Sequence, residues 1–538
     1  MRALLHSLRN TYLTADPRSL GLFRIGFGLV LCWDLVRRYQ QLDFWYTNSG
    51  LLPNHTLLWR PPAQHVFSLF FLASSREEAR VGFALCALVY ALFLIGYRTR
   101  LMHVLTLVCR VSLNSRVAVL ENGGDMVMNL LCILTLALPL GRRFSVDACR
   151  SPGARAADQT ADAPVVSLAM LGLIVQFAAI YFFNAISKDG EAWKHGYAVH
   201  YALHQDKFVT QLGVLMRERL SVDAFKFLTY ATLAVEWTGF ALLITPIQIH
   251  KARALAIVLM PGLHLCFALG LNLGTFSPAM MSFFPLLLTR VHWEFIDKCL
   301  RCRAALRARL VHTRTLVRAL VTGALQLGAA WLRHAPRVGR WLAEAATGVL
   351  ILAIAGEALN DNTSVPAWLR VPQPGWAKVL VEYPRLLQGW RMFAPTPPLS
   401  DSMIYIDATT AEGRRVDPYN EVASRQHFPA ATVVPERMDQ SQFFVMYSDR
   451  IAFDGYAVYR QAFLEWLLAY PQRTGRAHDC LIAFDAYYVT DESPAPGSGN
   501  GPVKRERTRF MQYTAPTDSA CKPIKTKPET RPLQAHSG

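Results

Sequence analysis

Residues 164–193 read PVVSLAMLGLIVQFAAIYFFNAISKDGEAW. No charge interrupts residues 164–187, and the first charged side chain is Lys188. A helix of that length is about 36 Å long at 1.5 Å per residue, enough to cross a hydrocarbon core of about 30 Å. The stretch therefore reads as a membrane-spanning helix that stops where the charges begin.

Working outward, eight more apolar runs read the same way: 19–37, 80–97, 101–119, 125–140, 222–246, 253–273, 274–289 and 341–359. Val66–Ala73 is too short to span and reads as interfacial or re-entrant. Cations orient the set. Arg2, Arg9 and Arg18 precede the first run, and Arg98 and Arg100 follow the second. Arg142 and Arg143 follow the fourth, and His250, Lys251 and Arg253 follow the sixth. Residues 298–340 hold ten Lys/Arg and no acid after the eighth. Nine spans with a cytoplasmic N-terminus put all of these on one side, with Arg37 and Arg38 as the exception. Residues 361–538 then lie outside. Arg24 and Asp34 inside the first run, and the lack of a small-residue cleavage site after it, argue against a cleaved signal.

Composition agrees. Of 538 residues 52% are apolar and 18% charged, and the mean hydropathy is +0.19. Soluble domains carry about 25% charge. With 32 Gly, 30 Pro and 10 Cys, collagenous, disordered and disulfide-rich secreted classes are excluded. The net charge of +17 owes much to the basic block, which reports topology rather than nucleic-acid binding. Within it Leu306, Leu310, Val317, Leu320, Ala324 and Leu327 form an apolar stripe flanked by arginines, the pattern of a helix lying on anionic lipid.

The fold class expected is an all-α polytopic membrane bundle of about nine spans with a small α+β extracytoplasmic C-terminal domain. Its parts are the bundle (1–295), the basic cytoplasmic segment (296–340), a last span (341–360), the α+β domain (361–490) and a disordered tail (491–538). In the α+β part Met403–Ala408 alternates, Glu412-Gly413 turns and Arg415–Val416 returns; Tyr456–Tyr470 reads as an amphipathic helix and Cys480–Thr490 as a strand.

Metal signals are weak. Cys299-x-x-Cys302 lacks the second pair of ligands that zinc sites want, and His200 and His204 lack a third ligand, so no metal is expected. Cys480 and Cys521 share the outer side and could bridge. Ionisable groups inside spans need a cavity or a partner. Arg24, Asp34, Glu236 and His264 are such groups; Glu236 is central in its span, and Arg24 and Asp34 are about 15 Å apart along one helix and so should pair elsewhere. Lys188 at a span end is otherwise an ordinary snorkelling anchor, and His264 a satisfied bundle histidine.

Four segments together resemble the horizontally transferred transmembrane (HTTM) domain family, which includes the vitamin K-dependent gamma-carboxylases. They are Leu22-Phe-Arg-Ile-Gly-Phe-Gly with Trp33-Asp34 and Trp45-Tyr46; Asn122-Gly-Gly-Asp125 with Pro139–Arg143 and Ser145-Val-Asp147; Tyr181–Trp193 with His195-Gly-Tyr197 and Tyr201-Ala-Leu-His204; and His264 with Gly274. They cover residues 19–295, and Trp390-Arg-Met-Phe-Ala-Pro395 resembles the outer segment of bacterial members. The resemblance implies a carboxylase of the lyase type that couples oxygenation of a quinol, reduced vitamin K or another, to carboxylation of a peptide Glu with CO2 and O2. It implies Lys188 as the base and His264 as its catalytic partner, with Asn114, Trp193 and Tyr197 against the quinol. Two departures stand out: the family's Lys-Lys pair is Ser187-Lys188 here, and the histidine before Asn-Arg in bacterial relatives is Asn114. No counterpart of the propeptide-binding region is evident.

Two functions compete: a quinol-linked oxygenase or carboxylase at the outer face with a peptide or protein substrate, and a non-catalytic membrane scaffold or peptide-maturation factor. A transporter ranks last, since no inverted repeat with broken helices is evident. The location expected is the bacterial inner membrane.

Overall fold

Capping residues start the helices close to where the apolar runs begin. Asp16 accepts from Arg18 N (2.9 Å) with Pro17 in the first turn, Ser75 and Glu78 form a capping box, and Ser167 accepts from Ala169 N (3.2 Å). The computed structural model describes residues 8–58, 65–150, 163–301, 337–423, 441–476, 479–498 and 504–516. The helices include α1 (Pro17–Tyr39), α2 (Arg76–Ile95), α3 (Thr99–Arg116), α4 (Gly123–Leu134), α5 (Leu168–Ile186), α6 (Val222–Ile244), α7 (Ile249–Gly270), α8 (Phe276–Phe283), α9 (Arg337–Asp361) and α10 (Gly375–Glu382).

Among the described residues six helices are long and apolar enough to cross a membrane: α1, α2, α5, α6, α7 and Trp341–Asp361 of α9. The other three expected spans differ. Run 101–119 is α3, which buries Arg110, Asn114, Ser115 and Arg116. Run 125–140 becomes α4 and a 3-10 turn, Thr135–Ala137; run 274–289 becomes α8 and a 3-10 turn, Phe284–Leu287. These short pieces are apolar because protein surrounds them: Leu130, Leu131, Met280, Phe283 and Leu286 are fully buried. Hydropathy does not separate a buried core helix from a short span.

Helix ends also group. The strands Thr14–Ala15 and Val165–Val166 pair, Arg253 Nη2 donates to the Thr11 carbonyl, and Leu168 N donates to Glu344 (2.8 Å). The N-terminal ends of α1, α5, α7 and α9 therefore share one side.

The intramembrane charges are compensated by specific neighbours. Arg24 donates to the carbonyls of Leu94 (3.3 Å), Leu140 (3.0 Å) and Phe144, which fixes the Pro139–Arg143 turn against α1. Gly96 has φ +73°, and a Cβ there would come within 2.5 Å of Ser145 and 2.7 Å of the Arg24 guanidinium, so only glycine fits. Asp34 receives Arg38 Nε and Arg110 Nη1, each at 2.8 Å, and Asp125 receives Arg38 Nη2 (2.5 Å) and Arg110 Nη2. The Asn122-Gly-Gly-Asp125 motif is the capping box of α4, which aims Asp125 at both guanidiniums.

A second compact unit begins at Ser402, while short returning stretches ending at Tyr447 and beginning at Glu492 belong to the first. It carries a four-stranded sheet ordered β2-β1-β3-β4, with β1 Ser400–Thr410, β2 Arg415–Val416, β3 Leu481–Glu492 and β4 Arg505–Thr514. Gly413, at φ +79°, makes the β1–β2 turn. Helix α11 (Arg460–Leu468) buries Phe463, Trp466 and Leu467; the expected helix Tyr456–Tyr470 starts with a 3-10 turn, Asp454–Tyr459, instead. The tail expected to be structureless over 491–538 contains β4, which pairs antiparallel with β3; its alternating Arg505, Arg507 and Arg509 lie opposite Asp491, Val489 and Tyr487. High charge hid this strand, because cross-strand partners offset it: Arg505 pairs with Asp491 and Arg509 with Asp485. The cationic stripe from Leu306 to Leu327, Cys302 and Cys521 lie outside the described residues.

Asp417 sits at the heart of that unit and is buried. Burial pushes its carboxyl up to about 7, against donors from Asn420, Ile406 and Tyr419. That lies above the ordinary value of about 3.9. Between about pH 4 and 7 the folded state therefore keeps a proton that the unfolded chain has shed, and stability falls as pH rises. The slope reaches about 1.4 kcal/mol per pH unit at most. Thermal unfolding at pH 5 and 7.5 should show this loss in the wild type and not in Asp417→Asn; equal pH dependence in both proteins would refute it.

Candidate functional site

Along α5 the polar residues Tyr181 and Asn184 share one face at i and i+3, a spacing that Lys188 continues at i+7 just past the helix end. Along α6 Thr229, Thr232 and Glu236 do the same. The two stripes meet at an apolar cavity of about 150 Å³. Its polar lining comes from Tyr181, Asn184, Lys188, Thr232, Glu236 and His264, and its apolar walls include Leu263, Phe267, Phe276 and Met280.

Lys188 follows the end of α5 and is buried. Its ammonium donates to both oxygens of Glu236, at 2.6 Å to Oε2. It also lies 4.9 Å from the centre of the Trp193 ring. An ammonium between a carboxylate and an indole face is well compensated at a site water scarcely reaches. Glu236 thus finds the partner its central position demands.

His264 Nε2 and the Tyr181 hydroxyl are 2.8 Å apart, while His264 Nδ1 is buried without a hydrogen-bond partner among the described residues. The ring stands edge-on to Phe267 and Phe276, with centroids 5.8 and 5.5 Å away. Tyr181 precedes Lys188 by seven residues, about 10 Å along a helix. His264 and Lys188 therefore face one cavity from different depths.

The Trp390–Pro395 segment closes the Lys188 end. Met392 and Phe393 line the cavity. Met392 N donates to Asn184 Oδ1 (3.0 Å), and the Trp193 indole N–H donates to the Phe393 carbonyl (2.8 Å). Gly190 N donates to the Pro395 carbonyl (3.0 Å). A Cβ on Gly190 would meet Thr396 at 2.2 Å and the Pro395 carbonyl oxygen at 2.5 Å, so the Lys-Asp-Gly turn needs glycine for this close approach.

Of the residues singled out from sequence, Lys188, Glu236, His264 and Trp193 line one cavity. Asn114 and Tyr197 do not: Asn114 Nδ2 donates to Glu121 Oε1 (2.6 Å), and the Tyr197 ring lies 5.8 Å from Lys226 Nζ. Tyr181, Asn184, Thr232, Met392 and Phe393 were missed. The i, i+3, i+7 polar spacing in two apolar helices is the signal that would have found the first three. His200 and His204 are bound to the carbonyls of Pro494 (2.8 Å) and His200 (2.7 Å), and burial pushes His204 down to about 4. Among the described residues no cluster of three metal-ligating side chains occurs.

The HTTM domain model matches residues 12–293, just over half of the chain and the part that builds this cavity apart from the closing segment. The protein described as uncharacterized protein YitO of Bacillus subtilis (strain 168) is 26% identical over 257 residues, spanning 45% of this chain and 80% of its own. No solved structure matches the chain.

Proposed function

The chain belongs to the HTTM domain family, and from that premise we propose that it is an integral membrane enzyme that oxygenates a quinol in the cavity beneath Trp390–Pro395. The observation that carries this reading is the convergence of Lys188, Glu236 and the Tyr181–His264 pair on one apolar cavity. Flat apolar walls suit an aromatic head group, and polar groups at two depths suit its two oxygens. A quinol and O2 give a quinone epoxide and water, which balances without a further reductant. The coupled step would add CO2 to a peptide Glu.

Within that chemistry Lys188 takes a hydroxyl proton. An ammonium has no lone pair, so Lys188 must first pass a proton to Glu236. Ammonium–carboxylate and amine–acid are both neutral pairs overall, so a dry cavity tolerates the exchange better than it would an isolated charge. His264 hydrogen-bonds the other quinol oxygen, held in place by Tyr181. The ion pair also favours a second reading, a non-catalytic holder of peptide or lipid, because a firmly paired ammonium is no base. Purified protein in lipid nanodiscs, given vitamin K hydroquinone and O2 with and without Glu-containing peptides, separates the two. Epoxide formation supports the enzyme, and its absence under both conditions supports the holder.

The N-terminus and residues 298–340 are cytoplasmic in this reading, and 361–538 lie outside the bacterial inner membrane. The grouping of cation clusters supports it, as does the shared side of the α1, α5, α7 and α9 starts. An alkaline phosphatase fusion after Lys298 should be inactive; activity there would overturn the topology. Residues 298–340 as a peptide should bind anionic vesicles at low salt, about 1 kcal/mol per cation near the surface, and lose binding at high salt.

A further inference from the structure

Five arginines are buried among the described residues: Arg24, Arg38, Arg110, Arg116 and Arg253. Four of them are met by oxygen. Arg24 and Arg253 donate to backbone carbonyls, and Arg38 and Arg110 share the carboxylates of Asp34 and Asp125. Arg116, the last residue of α3, is different. It is 0% exposed, and its Nε, Nη1 and Nη2 all lack a hydrogen-bond partner. Ser115, next to it in the chain, also keeps a buried hydroxyl without a partner. A fully buried arginine is rare unless paired, and a guanidinium does not escape the cost by losing its proton.

The surrounding charges do not balance it. Arg116 lies close enough to Tyr46 to interact with it electrostatically. The Tyr46 hydroxyl accepts from Arg38 Nη1 (2.9 Å) and donates to the Leu113 carbonyl (3.1 Å), so Arg116 adjoins the Arg38–Arg110 network. In that region the carboxylates are already committed. Asp34 and Asp125 neutralise Arg38 and Arg110, and Glu121 takes Arg385 together with the Asn114 amide. Arg37, half-buried against the Trp33 and Phe443 rings, adds a cation rather than an anion. One fully buried guanidinium charge is therefore left over. Water would satisfy its N–H groups and leave the charge, which a dry interior penalises heavily.

We propose that Arg116 is the anchor of an anion-binding site at the α3–α4 joint that takes one small, planar, monovalent oxyanion of the carboxylate or bicarbonate type. A single unmatched positive charge calls for a single negative one, where a dianion would reverse the imbalance. The flat guanidinium fork fits two coplanar oxygens better than a spherical ion. Complete burial favours a small free ion over a side chain tethered to a peptide. The joint runs on to Gly123, where a Cβ would lie 3.3 Å from Met392 Sδ and 3.4 Å from Phe276, both in the wall of the Lys188 cavity. Arg116 itself is not part of that lining, so the inference stands whether or not a quinol is oxygenated there.

The test follows thermal unfolding of the full-length protein in detergent at constant ionic strength, while sodium formate, bicarbonate or chloride replaces sodium HEPES, a sulfonate too bulky for a buried site. The wild-type midpoint should rise with formate and with bicarbonate, on the order of 2 °C for each tenfold increase beyond the dissociation constant. Arg116→Met should give no rise, and its midpoint should equal or exceed that of the anion-free wild type, because the unmatched charge is gone. Arg116→Lys, which keeps the charge without the fork, should need at least about tenfold more formate for the same rise. A wild type that is flat because it is already loaded should release one equivalent of carboxylate or CO2 on denaturation, and Arg116→Met should release none. A flat wild type that releases nothing overturns the proposal, as does an Arg116→Met protein that responds like the wild type. Chloride raising the midpoint as much as formate overturns the assignment to a planar oxyanion.

Discussion

Lys188→Arg should abolish quinol epoxidation, a loss on the order of 10²- to 10⁴-fold, the usual contribution of a positioned base. The cation, the ion pair with Glu236 and the stacking on Trp193 can all be kept by a guanidinium. The ability to give up a proton cannot, because Arg remains charged at any working pH. Lys188→Ala should lose as much while inserting normally, and a small primary amine should restore part of its turnover. Glu236→Gln tests the proton exchange. If Glu236 must receive the proton, the glutamine variant loses turnover despite an intact lysine. If Lys188 acts alone, removing the carboxylate frees a neutral amine and activity survives. Arg working as well as Lys would make Lys188 a structural anchor.

The largest effect on stability is expected at Asp125. Its side chain, together with Asp34, neutralises Arg38 and Arg110, and all four groups are buried. Asp125→Ala leaves two guanidiniums facing one carboxylate, and losing one partner of a buried ion pair costs about 3–5 kcal/mol. It also removes the acceptor for the Asn122 backbone N–H (3.3 Å), half of the α4 capping box, and for Asn122 Nδ2 (2.9 Å). The double variant Asp125→Ala/Arg110→Met restores the charge balance and should recover part of the loss, a coupling that a double-mutant cycle with Arg110→Met measures. Detergent-solubilised protein unfolded by heat would give the comparison. An Asp125→Ala protein within about 1 kcal/mol of wild type would show that the network contributes little.

The family and the membrane-spanning character were legible in the residues themselves. A charge-free run ending at Lys188 is unambiguous because bilayer thickness sets a length, and motif order along the chain is a property of sequence alone. The charge pattern also showed that Glu236, Arg24 and Asp34 require partners, since an isolated charge in an apolar span is too costly to leave unmet. Which partners they take was decided only by tertiary structure: Glu236 meets Lys188 across two helices, and Asp34 meets Arg110 from a third. Packing likewise decided that α4 and α8 are short core helices, because burial in protein and burial in lipid select the same apolar side chains. Asn114 sits in the motif order of the family, yet its amide is committed to Glu121 away from the cavity; order along the chain does not carry direction in space. The return of Gln373 to α9 was invisible for the same reason. It depends on Gln373 and Asn360 bonding with groups 20 and 11 residues distant in the chain, contacts that no local pattern encodes.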